Sequence, residues 1–205
     1  MEWNIAVLGS VGSGKTTAIR AISDIDVVDT DVAATDAATL QRKATTTVAM
    51  DMGVMELGNG DKLRLHGAPG QDRFDFMWEI LLEQARGAVV CVDHSHAERL
   101  QSLAAYLDAI AAAKAGQDFP IVIAVTHAEQ DTRRSLQPYY DFLRQRRACP
   151  CSACTPAVMW CDARSARDVT AVMVVMTALL ESFQTLPESA LHARFAQWQK
   201  RVHTP

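Results

Sequence analysis

No excess of positive charge runs through this sequence: 20 Lys and Arg stand against 24 Asp and Glu, a formal charge of −4. A chain so balanced presents no overall basic field, which disfavours nucleic acid and anionic membrane surfaces as partners. Long hydrophobic runs are missing too. The longest, Val169 to Leu180 with Thr170 and Thr177 inside it, reaches about half of the ~20 residues a bilayer-spanning helix needs, so no membrane span is expected. The start, Met1-Glu2-Trp3-Asn4, lacks the positive region of a secretory leader, and a glycine loop begins by Gly9; a cytoplasmic location is the expectation. The five cysteines are an odd number, and Cys91 lies in the apolar run Gly87 to Asp93, where a buried thiol is the default and a disulfide framework is not indicated. Internal repeats and low-complexity linkers are absent as well.

What remains is an ordinary globular composition, 49% apolar and 21% charged over 205 residues. That is enough for one domain with a sizeable core plus a remainder, and unlike disordered, collagenous or coiled-coil chains. Residues 1–186 are read as the domain. Residues 187–205 are read as an amphipathic extension, because Pro187 stops the preceding helical pattern and Leu191, Phe195, Trp198 and Val202 follow at helical spacing.

Trp3 to Leu8 is strand-like and runs into Gly9-Ser10-Val11-Gly12-Ser13-Gly14-Lys15-Thr16-Thr17, after which Ala18, Ile19, Ala21 and Ile22 keep helical spacing. Asp24 to Thr47 has no sustained period and reads mostly as loop. Val48 to Leu57 and Lys62 to Gly67 are strand-like, and the Asn59-Gly60 turn dipeptide between them predicts a hairpin. Strands at Gly87–Asp93, Pro120–Thr126 and Ala157–Cys161 then alternate with helical patterns at Phe76–Arg86, Ala97–Ala115, Arg133–Arg147 and Ala166–Gln184. Such alternation forces the strands to run mostly parallel, and the fold class expected is α/β, a six-stranded mostly parallel sheet with one antiparallel hairpin strand and helices on both faces.

Gly9, Gly14, Lys15 and Thr16 satisfy the phosphate-loop pattern between a strand and a helix, as that pattern requires. The glycines let backbone N–H groups turn inward on phosphates, and the helix that follows offers its positive end. Lys15 neutralises charge, and Thr16 is suited to ligate magnesium.

A second motif narrows the class. Ala68-Pro69-Gly70-Gln71-Asp72-Arg73-Phe74 resembles the second switch of small Ras-like GTPases, in the Pro-Gly-Gln form of bacterial members, and Thr47-Val48-Ala49-Met50-Asp51 resembles the first-switch threonine region. Thr126-His127-Ala128-Glu129 stands where that family has Asn-Lys-x-Asp; the match is degenerate, but Glu129 keeps a carboxylate that can accept two N–H bonds from guanine and not from adenine. Asp162-Ala163-Arg164 resembles the Ser-Ala-Lys loop beside the base, with its backbone given the larger role. Gly67 is a departure, since the family carries Asp there to hold magnesium through water. Thr16, Thr47, phosphate oxygens and water would complete the shell, and Gly67→Asp is expected to tighten magnesium binding if the position faces the metal. The Gly-x-Pro-Gly-Gln pattern also resembles a bacterial subfamily related to MglA-type polarity GTPases, whose members often work with roadblock-type proteins.

The resemblance implies a Ras-like P-loop domain that binds GTP, GDP and Mg2+, hydrolyses GTP slowly, and signals through a roadblock-type partner, with GTPase-activating or exchange factors as further candidates. It gives Gln71 the orientation of the attacking water, Lys15 the phosphate charge, and Thr16 and Thr47 the metal. Gly70 would meet the terminal phosphate, and Thr126, His127, Glu129, Asp162, Ala163 and Arg164 the base. Arg42, Lys43 and Arg73 read as solvated surface rather than an arginine finger. Two other readings stay open. Val28-Asp29-Thr30-Asp31 supplies the Asp-x-Asp of some small-molecule kinases, and an adaptor that binds GTP without turnover would share every motif. Cys149, Cys151, Cys154 and Cys161 are read as reduced thiols rather than a zinc site, and His94-Ser95-His96 as a loop at a strand end. Met50, Met52, Met55, Phe74, Phe76, Met77 and Trp78 are expected to leave an apolar cluster at the switches.

Overall fold

The computed structural model describes residues 1–27, 31–33, 45–47, 50–70, 75–115, 117, 119–129, 131–146 and 155–185, with backbone alone for 31–33, 45–47, 75 and 76. The elements are β1 (Glu2–Leu8), α1 (Lys15–Ile22), β2 (Asp31–Ala33), β3 (Thr45–Thr47), β4 (Asp51–Gly58), β5 (Asp61–Gly67), α2 (Asp75–Gln84), β6 (Gly87–Asp93), α3 (Arg99–Ala113), β7 (Ile121–Thr126), α4 (Gln137–Gln145), β8 (Ala157–Trp160) and α5 (Ala166–Thr185). Six strands form one sheet in the order β4-β5-β1-β6-β7-β8. Only the β4–β5 pair among them is antiparallel, so the expected α/β architecture is the one observed. Asn59 and Gly60 take φ of 51° and 82° in the hairpin turn, the left-handed pair that a tight two-residue turn requires.

Alternation along β1 divides the core into two slabs. Trp3, Ile5 and Val7 pack towards α1 and α5, where Val169, Val172, Met173, Met176 and Leu180 form the buried stripe of α5. Ala6 and Leu8 point the other way, to Leu82 of α2, Leu103 and Tyr106 of α3, and Tyr139 and Leu143 of α4. Central β6 is buried from Gly87 through Val92, as a parallel strand covered on both faces must be.

Two local departures from the sequence reading have physical causes. Asp31–Ala33 pairs with Thr45–Thr47 as a separate antiparallel ribbon inside the segment read as loop; three-residue pairs rich in Asp and Thr carry no alternation to read. Helix α4 starts at Gln137 rather than Arg133 because Pro138 fits the first turn, and Ser135 Oγ accepts the Gln137 N–H at 3.1 Å. The 187–205 extension, and with it the domain boundary, lies outside the described residues. Among those described, no helix is long and apolar enough to cross a membrane.

Candidate functional site

The parallel strands deliver their carboxyl ends to one edge of the sheet, and the turn after β1 opens there into Gly9–Gly14. Gly14 caps α1 at φ 91°, and a Cβ at that residue would lie 2.9 Å from Ala163 Cβ. Glycine alone meets both demands, conformational and steric. Lys15 is buried, and its ammonium donates to the Gly9 carbonyl at 2.7 Å and the Ser10 carbonyl at 2.9 Å. The charge is thereby held at the mouth of its own loop.

Gly70 leans on that mouth. A Cβ there would come within 2.6 Å of the Val11 amide nitrogen and 2.8 Å of Lys15 Nζ. The chain leaving β5 thus meets the glycine loop at Ser10, Val11 and Lys15. Gln71 and Arg73, which follow, lie outside the described residues, as do Arg42, Lys43, Asp29 and the side chain of Thr47.

Thr16, the second residue of α1, donates its hydroxyl to Asp51 Oδ2 at 2.6 Å, and both residues are buried. Sequence reasoning placed Asp51 beside a switch and gave it no role. The hairpin sets it directly opposite Gly67.

On the far side, Thr126 closes β7. Its hydroxyl lies 3.0 Å from the Ser13 carbonyl and 3.2 Å from that of Val92, a strut between the phosphate loop and the strand ends. His127 adopts φ 54°, with Nδ1 3.1 Å from Thr126 Oγ1 and 3.8 Å from Asp93 Oδ1. Glu129 accepts from Arg164 Nη2 at 2.8 Å, while Arg164 also donates from Nε and Nη2 to the two oxygens of Asp162, each at 2.9 Å. Those hydrogen bonds hold the Asp162 carboxyl down to about 2. The guanidinium of Arg164, and not the loop backbone alone, therefore bears on Glu129. Ala163 between them is buried against Gly14, so the three sequence-separated segments named for base and phosphate do converge.

Other candidate clusters resolve differently. His94 finds an acid that the sequence hides, Asp131 Oδ2 at 3.2 Å, while Nδ1 meets Tyr139 Oη at 2.8 Å and the ring stands edge-on to Trp160. Trp78 is core, its ring tilted at 45° against that of Tyr106 and its indole N–H on the Pro69 carbonyl at 3.3 Å, whereas Met50 is exposed. Cys91 and Cys161 are free and buried; Cys149, Cys151 and Cys154 lie outside the described residues. No three His, Cys, Asp or Glu side chains gather as a metal cage among the described residues.

Fold and loop together define a P-loop α/β protein of Ras-like architecture. Solved structures of the same fold include the Arl6 BBS3 small GTPase from Trypanosoma brucei with bound nucleotide analogue GppNp (TM-score 0.67, 14% identity, 88% of this chain and 98% of that one). They include also the translation elongation factor SelB from Methanococcus maripaludis in complex with the GTP analogue GppNHp (TM-score 0.64, 14% identity, 87% of this chain and 34% of that one). A bacterial selenocysteine-specific elongation factor EF-Sec matches with TM-score 0.62 at 17% identity, covering 89% of this chain and 29% of that one; the chain thus spans less than a third of that factor. No curated protein matches the chain in sequence. The chain belongs to the family described as conserved hypothetical ATP binding protein, whose model matches residues 25–190, a range that begins beyond the phosphate loop.

Proposed function

We propose that this protein is a guanine-nucleotide switch that binds GTP and GDP with Mg2+, hydrolyses GTP slowly, and signals by nucleotide-dependent protein binding in the cytoplasm. The observation that carries the reading is the contact of Gly70 with the phosphate loop at Val11 and Lys15. A terminal phosphate entering that loop must meet the Gly70 backbone, so the segment after β5 has a different set of contacts in the two nucleotide states. A ligand shifts a conformation only by such differential contact. In the same reading Lys15 neutralises the phosphates, Thr16 and Thr47 hold the metal, and Gln71 orients the attacking water. Magnesium, when bound, neutralises charge that develops on the phosphate oxygens. The roadblock-type partner of the MglA-like resemblance belongs to this proposal, as does any activating or exchange factor.

Guanine is favoured by Glu129, an acceptor-only carboxylate that suits the paired N–H donors of guanine and opposes the ring acceptor of adenine. The family description, conserved hypothetical ATP binding protein, favours adenine instead. Competition of unlabelled GTP, GDP and ATP against a fluorescent GDP analogue separates the two. GTP and GDP are expected to compete at far lower concentration than ATP; ATP competing as well as GTP would move the protein to an ATPase or kinase. Lys15→Ala is expected to weaken binding roughly 10- to 100-fold or more, the loss of charge-assisted bonds to phosphate. Gln71→Leu should slow single-turnover cleavage and leave affinity nearly unchanged; equal rates in the two proteins would favour the non-hydrolysing adaptor.

A further inference from the structure

We propose that His94 is a positioning residue for base recognition in this chain: through Asp131 it fixes the turn on which Glu129 stands. This rests on the guanine reading above. The Asp131 amide donates to the Ala128 carbonyl at 3.3 Å, which closes a turn around Glu129. Ala128 is buried and anchors one end of that turn. The other end lies at the surface, where His94 Nε2 stands 3.2 Å from Asp131 Oδ2 and ties the turn to the sheet. His94 is a firm point of attachment. Its backbone N–H donates to the Thr126 carbonyl at 2.9 Å, its side chain is 10% exposed, and its ring meets Trp160 edge-on at 88°.

The proton positions follow from the neighbours. Tyr139 is fully buried, with its hydroxyl 2.8 Å from His94 Nδ1. Burial pushes that phenol up to about 12, so it keeps its proton, and the Arg99 guanidinium beside it can only donate. The phenol hydrogen therefore goes to Nδ1, and the ring hydrogen belongs on Nε2, directed at Asp131. The Asp131 carboxyl is held below its ordinary range, first by the imidazole and then by the Arg133 amide, whose N–H it accepts on Oδ1 at 2.9 Å. The hydrogen bonds thus run one way, from Tyr139 to His94 to Asp131. The competing explanation is purely architectural: His94 supplies an acceptor for the buried Tyr139 hydroxyl and has no bearing on the base.

Two substitutions separate these, because each keeps the function of one ring nitrogen. His94→Asn retains an acceptor at the level of Nδ1 and loses the reach to Asp131. His94→Gln retains a donor at the level of Nε2 and leaves Tyr139 without its acceptor. The readout is the ratio of affinities for GDP and IDP, measured on the whole chain by competition against a fluorescent GDP analogue; the two ligands differ in the guanine amino group, one of the donors that suit Glu129. His94→Asn is expected to lower the preference for GDP roughly fivefold or more, the scale of a displaced hydrogen bond. His94→Gln is expected to keep that preference within about twofold of wild type while lowering the urea midpoint. Asp131→Asn leaves an oxygen for the Arg133 amide but sets an amide N–H against the ring N–H, and should match His94→Asn. A His94→Asn ratio within about twofold of wild type overturns the proposal, as does a His94→Gln ratio that falls equally far. Where either His94 variant does not fold, Asp131→Asn, altered at a side chain 47% exposed, decides: an unchanged ratio overturns the proposal. If none of the three folds, the cluster serves the fold and the proposal falls. A wild-type chain that binds neither ligand sinks the nucleotide reading, and one that binds both alike sinks the guanine reading; the proposal falls with either. A wild type that discriminates, beside an unchanged His94→Asn, sinks the proposal alone.

Discussion

Adding an acid at Gly67 without removing Asp51 crowds two carboxylates into one cross-strand space. The new Cβ would meet Ile19 Cδ1 at 2.9 Å and Asp51 Oδ2 at 3.2 Å. The sequence-level expectation that Gly67→Asp tightens magnesium binding is therefore replaced by another outcome: the single variant should lose roughly 2–4 kcal/mol of stability, through overpacking and like-charge burial, read as a lower urea midpoint. A stability equal to wild type would show that the two side chains do not share that space. Thiol chemistry gives a second residue-scale test. Burial pushes the Cys91 thiol up to about 11 and the Cys161 thiol up to about 12, the latter with help from Cys91, Asp168 and Asp162. At pH 8 both stay protonated, and the thiolate is the reactive form. Of the five cysteines, these two should stay silent to a thiol reagent until denaturant is added. Asp162 supplies the pH dependence. Its hydrogen bonds from Arg164 hold the carboxyl down to about 2, below the usual ~3.9. That stabilisation is present above about pH 4 and is lost as the pH falls towards 2, so the link from Arg164 to Asp162 should persist in an NMR carboxyl titration run from neutrality down to pH 4.

At the scale of elements, the β4–β5 hairpin is seated directly on α1. A Cβ at Gly53 would press within 2.6 Å of Ile19 Cγ2 and 3.0 Å of Ser23 Oγ. Gly53→Ala should therefore cost about 1–3 kcal/mol, as overpacking does, measured by urea unfolding. Because residues 51 and 53 share a strand face, the same lift should draw Asp51 from Thr16. The hairpin also marks where sequence reading stops. Its two strands and their Asn59-Gly60 turn are legible, because alternation and turn chemistry are local. The partner of Asp51 is not: counting outward from the Gly58–Asp61 pair would set Asp51 against Ala68, and an irregularity between Glu56 and Gly58 shifts the pairing by one residue, to Gly67. A bulge of that kind leaves no clear sequence mark, yet it decides which residue faces the acid. Arg164 is named for the base from the sequence, but its partner is not, for a similar reason. Its bond to Glu129 joins the loops after β8 and β7, a proximity that belongs to strand order rather than to either motif.

Over the whole molecule, what was legible was the alternation of strands and helices, and with it the edge at which the loops gather. β1 lies at the middle of that arrangement, and Ile5 within it faces Leu65 on one side and Gly87 on the other. The strand that launches the phosphate loop thus waits for partners made much later in the chain, and Thr126 and Ala163, which brace the loop, come later still. Such distant pairings are slow to form, because chain closure precedes the contacts that reward it. The pocket should accordingly be among the last features to mature during refolding, absent at the rate-limiting barrier. A bound nucleotide would then leave the refolding arm of a chevron plot unmoved and slow the unfolding arm by the full measure of its stabilisation, so that the ligand acts as a brake on loss of the native state and gives the emerging chain no help in reaching it.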